Sequence, residues 1–377
     1  MTRWTLEFAP YRVPLRRPFR TAHGLVESRE GLLVRLRAPG GDEGLGEAAP
    51  VPGDPGDAVR GLANRLRELA PALLEQVAGR GARLRGDAVL PLPIVLMPGT
   101  GAADRALACA VDTAWWDMAA SAARMPLAAA WADDVALPVH VNAIVDAAET
   151  AEAAERARAA ANAGFTSLKL KAGAGDPTDD ETRVRVVREA VGGGVLLRLD
   201  ANGAWTRDVA VAALVRLARY DIELVEQPLP PDDLPAMAEL RRVSPIPLAA
   251  DEAVTGEARA REILALGAAD VLVLKLSRLG GPTAALQVAA AARETGAPCI
   301  VTTAFEAGPA LAAALHLAAA LPRSGPAHGL ATGGLLERVL VAPWSDEDAP
   351  RLSPPAGPGL GVRLTGIDER DWRPLSA

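Results

Sequence analysis

Five charged residues recur at a spacing that could bring them to one place: Lys171, Asp200, Glu226, Asp251 and Lys275, with steps of 29, 26, 25 and 24 residues. Three carboxylates and two ammonium groups could hold a hard divalent cation and move a proton. If Asp200, Glu226 and Asp251 lie within a few ångströms of one another, each pair repels by about 4 kcal/mol at about 4 Å and an effective dielectric near ~20. Such a trio requires a shared proton or a cation, and carboxylate oxygens with no histidine or cysteine in the pattern favour Mg²⁺ over zinc. Lys169 stands two residues before Lys171 in the run Ser167-Leu168-Lys169-Leu170-Lys171. On a strand, both lysines share one face and Leu168 and Leu170 the other. A lysine beside a cation, a second lysine and apolar walls is expected to lose basicity, so that its neutral amine can act as a base. A substrate carboxylate on the metal would then make the chemistry a proton abstraction α to that carboxylate. Each residue has a plainer reading alone: a solvated edge strand for the lysine pair, and helix N-caps for Asp200 and Asp251. Five charges in register outweigh those readings.

The elements that must position these residues are strands and helices in alternation. From Leu137 onward, strand-like runs at Val139–Val145, Ser167–Lys171, Val195–Leu199, Glu223–Glu226, Pro247–Asp251, Val271–Leu276, Cys299–Thr303 and, more weakly, His328–Ala331 alternate with Ala-, Arg- and Glu-rich helical runs. This alternation predicts parallel βαβ units. Eight of them in roughly 200 residues predict a closed β/α barrel, whose strand C-terminal ends converge on one face. A doubly wound open sheet is the alternative, but no Gly-rich phosphate loop follows the first strand. Gly192-Gly193-Gly194 precedes a strand, the wrong side for a dinucleotide fingerprint.

Residues 1–136 read as an α+β domain. Strands are expected at Thr5 to Val13 and Gly31 to Arg37, joined by a basic loop from Arg16 to Gly24. A Gly/Pro-punctuated loop is expected from Gly44 to Gly53, then helices at Gly56 to Val77 and Ala102 to Ala123, with a Pro-rich connector, Pro91 to Pro98, between them. Leu107, Val111, Ala114, Trp115 and Met118 recur at helical spacing and mark a buried face. Residues 137–333 form the barrel. Residues 334–377, with a turn cluster at Pro354 to Gly359 and a short strand at Leu360 to Leu364, are expected to pack back on the N-terminal domain.

The 377 residues are 50% hydrophobic but only 3% aromatic, so the core must be built from Ala, Val and Leu. A net charge of -7 argues against a nucleic-acid surface and leaves a small-molecule carboxylate as the expected partner. Cys109 and Cys299 have no metal-knuckle spacing and read as buried thiols; His140, His316 and Trp115-Trp116 read as structural. Every Ala/Leu-rich stretch is interrupted before it could span a bilayer, and the N-terminus has no signal-peptide core. A cytoplasmic protein without membrane partners is expected; the oligomeric state stays open, a homo-oligomer among the options.

At these residues the chain resembles the enolase superfamily, in its muconate-lactonizing subgroup. The resemblance implies a (β/α)7β TIM-like barrel with an α+β capping domain built from both termini, and it runs over nearly the whole chain. Lys169-Leu170-Lys171 matches the KxK motif, Asp200, Glu226 and Asp251 the Mg²⁺ ligands, Lys275 the opposing lysine and Asn202 the asparagine of DxN. The pairing of a lysine base with Mg²⁺ is a property of that superfamily; Mn²⁺ is implied as a substitute. The segments Arg20 to Gly24 and Gly46 to Gly53 resemble the two loops that close over substrate.

Within the subgroup, three segments look most like o-succinylbenzoate synthases: Pro138 to Ala143, Leu274 to Gly281 and His328 to Thr332. The implied reaction is syn dehydration of 2-succinyl-6-hydroxy-2,4-cyclohexadiene-1-carboxylate to 2-succinylbenzoate, in menaquinone biosynthesis. In it Lys171 takes the α-proton, Lys275 stays charged on the other face and Lys169 tunes Lys171. Candidate substrate contacts are Asn142, Asn202, His23, Arg20, Thr302 and Glu306. N-succinylamino acid racemase, on its own or as a second activity, is the alternative, since it needs the same residues. Dipeptide epimerase ranks lower because Ala331-Thr332-Gly333-Gly334 lacks that group's Asp-x-Asp; muconate cycloisomerase ranks lower too. Thr302 to Gly308 departs from the synthases, in which small serines are commoner. A non-catalytic binding barrel would be expected to lack some of the lysines or carboxylates.

Overall fold

The computed structural model describes residues 3–21, 24–51, 58–80, 101–147, 149–173, 175, 177–344 and 349–375; of Arg20, Thr21 and residues 78–80 it describes the backbone alone. The N-terminal sheet contains β1 (Thr5–Thr21), β2 (Gly24–Arg37) and β3 (Glu43–Ala48). Its first two strands form one long antiparallel hairpin. The expected basic loop is therefore strand: Arg16 to Thr21 continue β1, with a register shift between Pro14 and Phe19. Val13, Leu15 and Phe19 turn inward while Arg16 and Arg17 face solvent, so the charges hid an amphipathic strand.

The expected Gly-punctuated loop is likewise strand in its first half. Gly44 and Gly46 are spaced for contact rather than for turning. A Cβ at either position would overlap the carbonyl oxygen of Ala114 or Ala110, so β3 lies directly against a helix. The helices of this region are α1 (Val59–Arg80), α2 (Ala102–Ala122) and the short α3 (Leu127–Trp131). The helix touching β3 is α2, buried on nearly every side from Ala106 to Ala120, Trp115 and Trp116 included. The expected Pro91–Pro98 connector lies outside the described residues.

The barrel begins at β4 (Val139–His140) and β5 (Ala143–Val145), followed by β6 (Ser167–Lys171), β7 (Leu196–Asp200), β8 (Ile222–Glu226), β9 (Leu248–Ala250), β10 (Val271–Lys275) and β11 (Cys299–Thr302). Strands β5 to β11 make one parallel sheet in sequence order. The ring closes through a two-residue bridge, Val141 pairing with His328 and Thr302 with Gly329. His328 secures that closure by accepting the Val301 amide at Nδ1, 3.0 Å away. Between the strands run α4 (Thr150–Asn162), α5 (Pro177–Val191), α6 (Arg207–Leu217), α7 (Leu234–Val243), α8 (Glu257–Leu266), α9 (Leu276–Leu279), α10 (Pro282–Thr295) and α11 (Pro309–Ala320). The expected single strand Val139–Val145 is instead two, because β4 pairs antiparallel with Arg351–Leu352 in the tail.

The tail carries β12 (Val341–Ala342), β13 (Arg351–Leu352), β14 (Arg363–Leu364) and β15 (Arg373–Leu375), the last pairing with β1. The architecture is thus the barrel with a capping domain made from both ends of the chain. Leu168, Leu170, Leu197 and Leu199 point outward into the main core under the helices. Inside the barrel a small apolar plug of Leu224, Ala249, Val271, Val273 and Ile300 lies among the strands. Cys109 and Cys299 are buried free thiols. Among the described residues no helix is long and apolar enough to cross a membrane.

Candidate active site

Parallel register sets the site. Lys171 pairs with Asp200 across β6 and β7, and Asp200 with Glu226 across β7 and β8, so three charges stand in a row at strand ends. Period two keeps Lys169 on the same inward face, one level deeper. Its ammonium donates to Glu226 Oε1 at 2.7 Å and lies 3.0 Å from Asp200 Oδ2. Lys171 Nζ donates to Asp200 Oδ2 at 2.8 Å and to Asn202 Oδ1 at 2.7 Å. Further round the ring, Lys275 is in close contact with Asp251, whose other oxygen accepts from Arg278 at 3.0 Å.

Burial works against every charge here, and the partners decide the outcome. Burial disfavours the Asp200 carboxylate, but Lys169 and Lys171 hold it below the usual range. Asp251 is likewise opposed by burial and brought down to about 2 by Lys275 and Arg278. Glu226 is pushed up to about 7 by burial, an effect that Lys169 opposes and that Asp200 and Asp251 reinforce. For Lys169 burial favours the neutral amine, yet Asp200, Glu226 and Asp251 outweigh it and raise its affinity for the proton. Lys169 is therefore a fixed positive charge.

Among the described residues, no three His, Cys, Asp or Glu side chains converge closely enough to hold a metal ion as they stand. The sequence reading puts the three carboxylates within a few ångströms of one another. Instead the ammonium groups interpose, Lys169 lying between Asp200 and Glu226. The donor chemistry nonetheless fits Mg²⁺. Three hard carboxylates, each 3% exposed or less, stand at adjoining strand ends.

Residues 149–368 match the model for "Enolase C-terminal domain-like" proteins, and residues 4–130 match the mandelate racemase / muconate lactonizing enzyme N-terminal domain. The chain belongs to the enolase superfamily. Muconate cycloisomerase 1 of Rhodococcus opacus is 33% identical over 96% of this chain and 95% of that protein. An o-succinylbenzoate synthase of Thermobifida fusca is 40% identical over 59% of this chain and 67% of that one. The crystal structure of a dipeptide epimerase from Enterococcus faecalis V583, complexed with Mg and the dipeptide L-Leu-L-Tyr, superimposes with a TM-score of 0.84. It is 28% identical, over 96% of this chain and 99% of that one.

In this enolase-superfamily enzyme the pocket above the arc is lined by Lys169, Lys171, Asp200, Asn202, Glu226 and Lys275, together with Asn142 and Thr302. Thr302 donates its hydroxyl to Gly329 O at 2.9 Å, and Asn142 Oδ1 accepts from Arg198 at 3.4 Å. Glu306 is not at the pocket surface. It is 2% exposed and turns back on its own loop, accepting the Ala304 amide at 2.5 Å. His23 and the Arg20 side chain lie outside the described residues.

Several residues at the pocket had no role in the sequence reading. Gln227, left-handed at φ 41°, accepts both Asp251 N at 3.0 Å and Ala253 N at 3.2 Å, so it ties the end of β8 to the end of β9. Glu252 accepts from Asn202 at 3.1 Å. Arg198, 1% exposed and paired in register with Lys169 on the adjoining strand, is held in a two-point pair with Glu223 at 2.6 and 2.9 Å and donates to Ala327 O. Gln227 and Arg278 sit inside the recognised motifs, beside Glu226 and three residues after Lys275. Their partners are on other strands, so spacing alone gave no signal.

Proposed function

We propose that this enzyme dehydrates 2-succinyl-6-hydroxy-2,4-cyclohexadiene-1-carboxylate to 2-succinylbenzoate. The observation that carries this reading is the charge balance of the pocket. Four carboxylates (Asp200, Glu226, Asp251, Glu252) face four cations (Lys169, Lys171, Lys275, Arg278), while Arg198 is neutralised by Glu223. A bound Mg²⁺ would add to the positive charge of Lys169, Lys275 and Arg278, which suits a carboxylate substrate. The end of the barrel at Ala331-Thr332 offers a hydroxyl, bonded to Thr303 at 2.6 Å, and no carboxylate for the free ammonium of a dipeptide.

Asp200, Glu226 and Asp251 would hold the Mg²⁺. When bound, it supplies positive charge against the negative charge that develops on the substrate carboxylate as the α-proton leaves. Lys171, aligned by Asp200 and Asn202, takes that proton on one face. The same ammonium then delivers the proton to the hydroxyl leaving from that face, so that water departs and the ring becomes aromatic. Lys275, on the facing strand, stays protonated and stabilises the other face by charge. Lys169 remains charged between Asp200 and Glu226.

The two lysines from separate strands also favour a second reading, racemisation of N-succinylamino acids, in which Lys171 and Lys275 each serve one face. The test is to add the purified protein and Mg²⁺ to each substrate. Formation of 2-succinylbenzoate supports the synthase; an unchanged precursor beside rapid racemisation overturns it.

A further inference from the structure

The capping domain and barrel meet at a buried carboxylate that the proposed reaction does not use. Glu47, near the end of β3, is 0% exposed and has both oxygens engaged. Oε1 accepts from the Tyr11 hydroxyl at 2.5 Å and from Ala307 N at 2.8 Å; Oε2 accepts from Gly308 N at 2.9 Å and Ala310 N at 3.1 Å. Three of these four donors are backbone amides where the β11–α11 loop enters α11, amides that lack partners within the helix. A carboxylate also suits the positive end of the helix dipole.

The loop held in this way is a wall of the pocket. Thr303, Ala304 and Phe305 line the cavity just before the clasped amides. Phe305 has φ 64°, a left-handed conformation that costs an aromatic residue on the order of 1 kcal/mol or more and persists only where the surroundings fix it. One side of the loop is fixed by the Phe305 ring, which meets Phe19 of the capping hairpin edge-on at 4.8 Å. The other side is fixed by Glu47.

We propose that Glu47 is a positioning residue for substrate specificity. From the capping domain it fixes the β11–α11 loop, and with it the pocket wall of Thr303, Ala304 and Phe305. This rests on reading the pocket as the site of a carboxylate substrate. The lysines and carboxylates stand on their own strands and do not touch Glu47. Loosening the wall therefore weakens binding of substrate and transition state alike, which raises KM and leaves kcat in place.

The test compares wild type with Glu47→Gln and Tyr11→Phe, both read by amide hydrogen exchange and by dehydration kinetics on the cyclohexadiene precursor. In Glu47→Gln, exchange at Ala307, Gly308 and Ala310 is expected to quicken at least tenfold while α10 keeps its protection, with KM up at least fivefold and kcat within twofold. Tyr11→Phe keeps the carboxylate and should move the same readings by less; it carries the test if Glu47→Gln does not fold. Unchanged exchange at the three amides overturns the proposal, as does a fall in kcat with KM unchanged. If wild type turns over no such substrate, the proposed reaction fails, and the exchange arm still judges the clasp.

Discussion

The two sides of the pocket are built on different principles. Along the arc from β6 to β10, each charge is placed by its own strand. Parallel register sets Lys171 beside Asp200 and Asp200 beside Glu226, and the next carboxylate is tied in by Gln227. The wall that follows β11, from Thr302 to Gly308, takes its shape from distant chain: Gly329 bridges Thr302, Phe19 meets Phe305, and Glu47 holds the loop end. The arc supplies charge for a fixed chemistry, and the wall can vary without disturbing it.

If the arc carries the chemistry, damage there should reach the rate first. Glu226→Gln is expected to lower dehydration by more than ~100-fold, beyond the loss of a group that only supports a ligand, and to weaken Mg²⁺ binding in a calorimetric titration. Retained activity in that variant would erase the distinction between the two sides. Gln227→Ala tests the splint within the arc. Two buried amides, Asp251 N and Ala253 N, lose their acceptor, which should cost about 2–3 kcal/mol in a denaturant melt, with a smaller loss of Mg²⁺ affinity.

The smallest effect lies behind the capping domain, where Asp112 on α2 accepts Thr283 N and the Thr283 hydroxyl, both at 2.7 Å. Burial pushes the Asp112 carboxyl up to about 7 despite those hydrogen bonds. A carboxyl with a raised folded value holds its proton more tightly when folded. Its contribution is therefore complete below about pH 4 and is lost as pH rises through about 7. Melts at about pH 6 and about pH 8 should differ by about 1.4 kcal/mol from this group, and Asp112→Asn should remove that difference.

The same contrast explains what could be read from the sequence. Lys171, Asp200, Glu226, Asp251 and Lys275 stand out because a βα unit has a nearly constant length and its strand end is a fixed place. The barrel follows from the same rhythm. Gly44 and Gly46 were misleading as loop signals because their purpose is contact with Ala114 and Ala110, about seventy residues away. Arg16 and Arg17 masked a strand whose inward residues are Val13, Leu15 and Phe19. Glu306 stands near the pocket in sequence, yet its carboxylate turns to its own backbone. Glu47 falls in a segment that resembles a substrate-closing loop, and its clasp on the β11–α11 loop was not legible because the amides it binds lie some 260 residues along the chain.

The central claim is that Lys171 is the base, and single-turnover dehydration of the cyclohexadiene precursor by Lys171→Ala, with Mg²⁺ saturating, tests it most directly. Loss of a positioned acid–base group should slow the step by ~10³-fold or more, with Mg²⁺ affinity close to wild type. A variant that still forms 2-succinylbenzoate at a tenth of the wild-type rate would contradict the account.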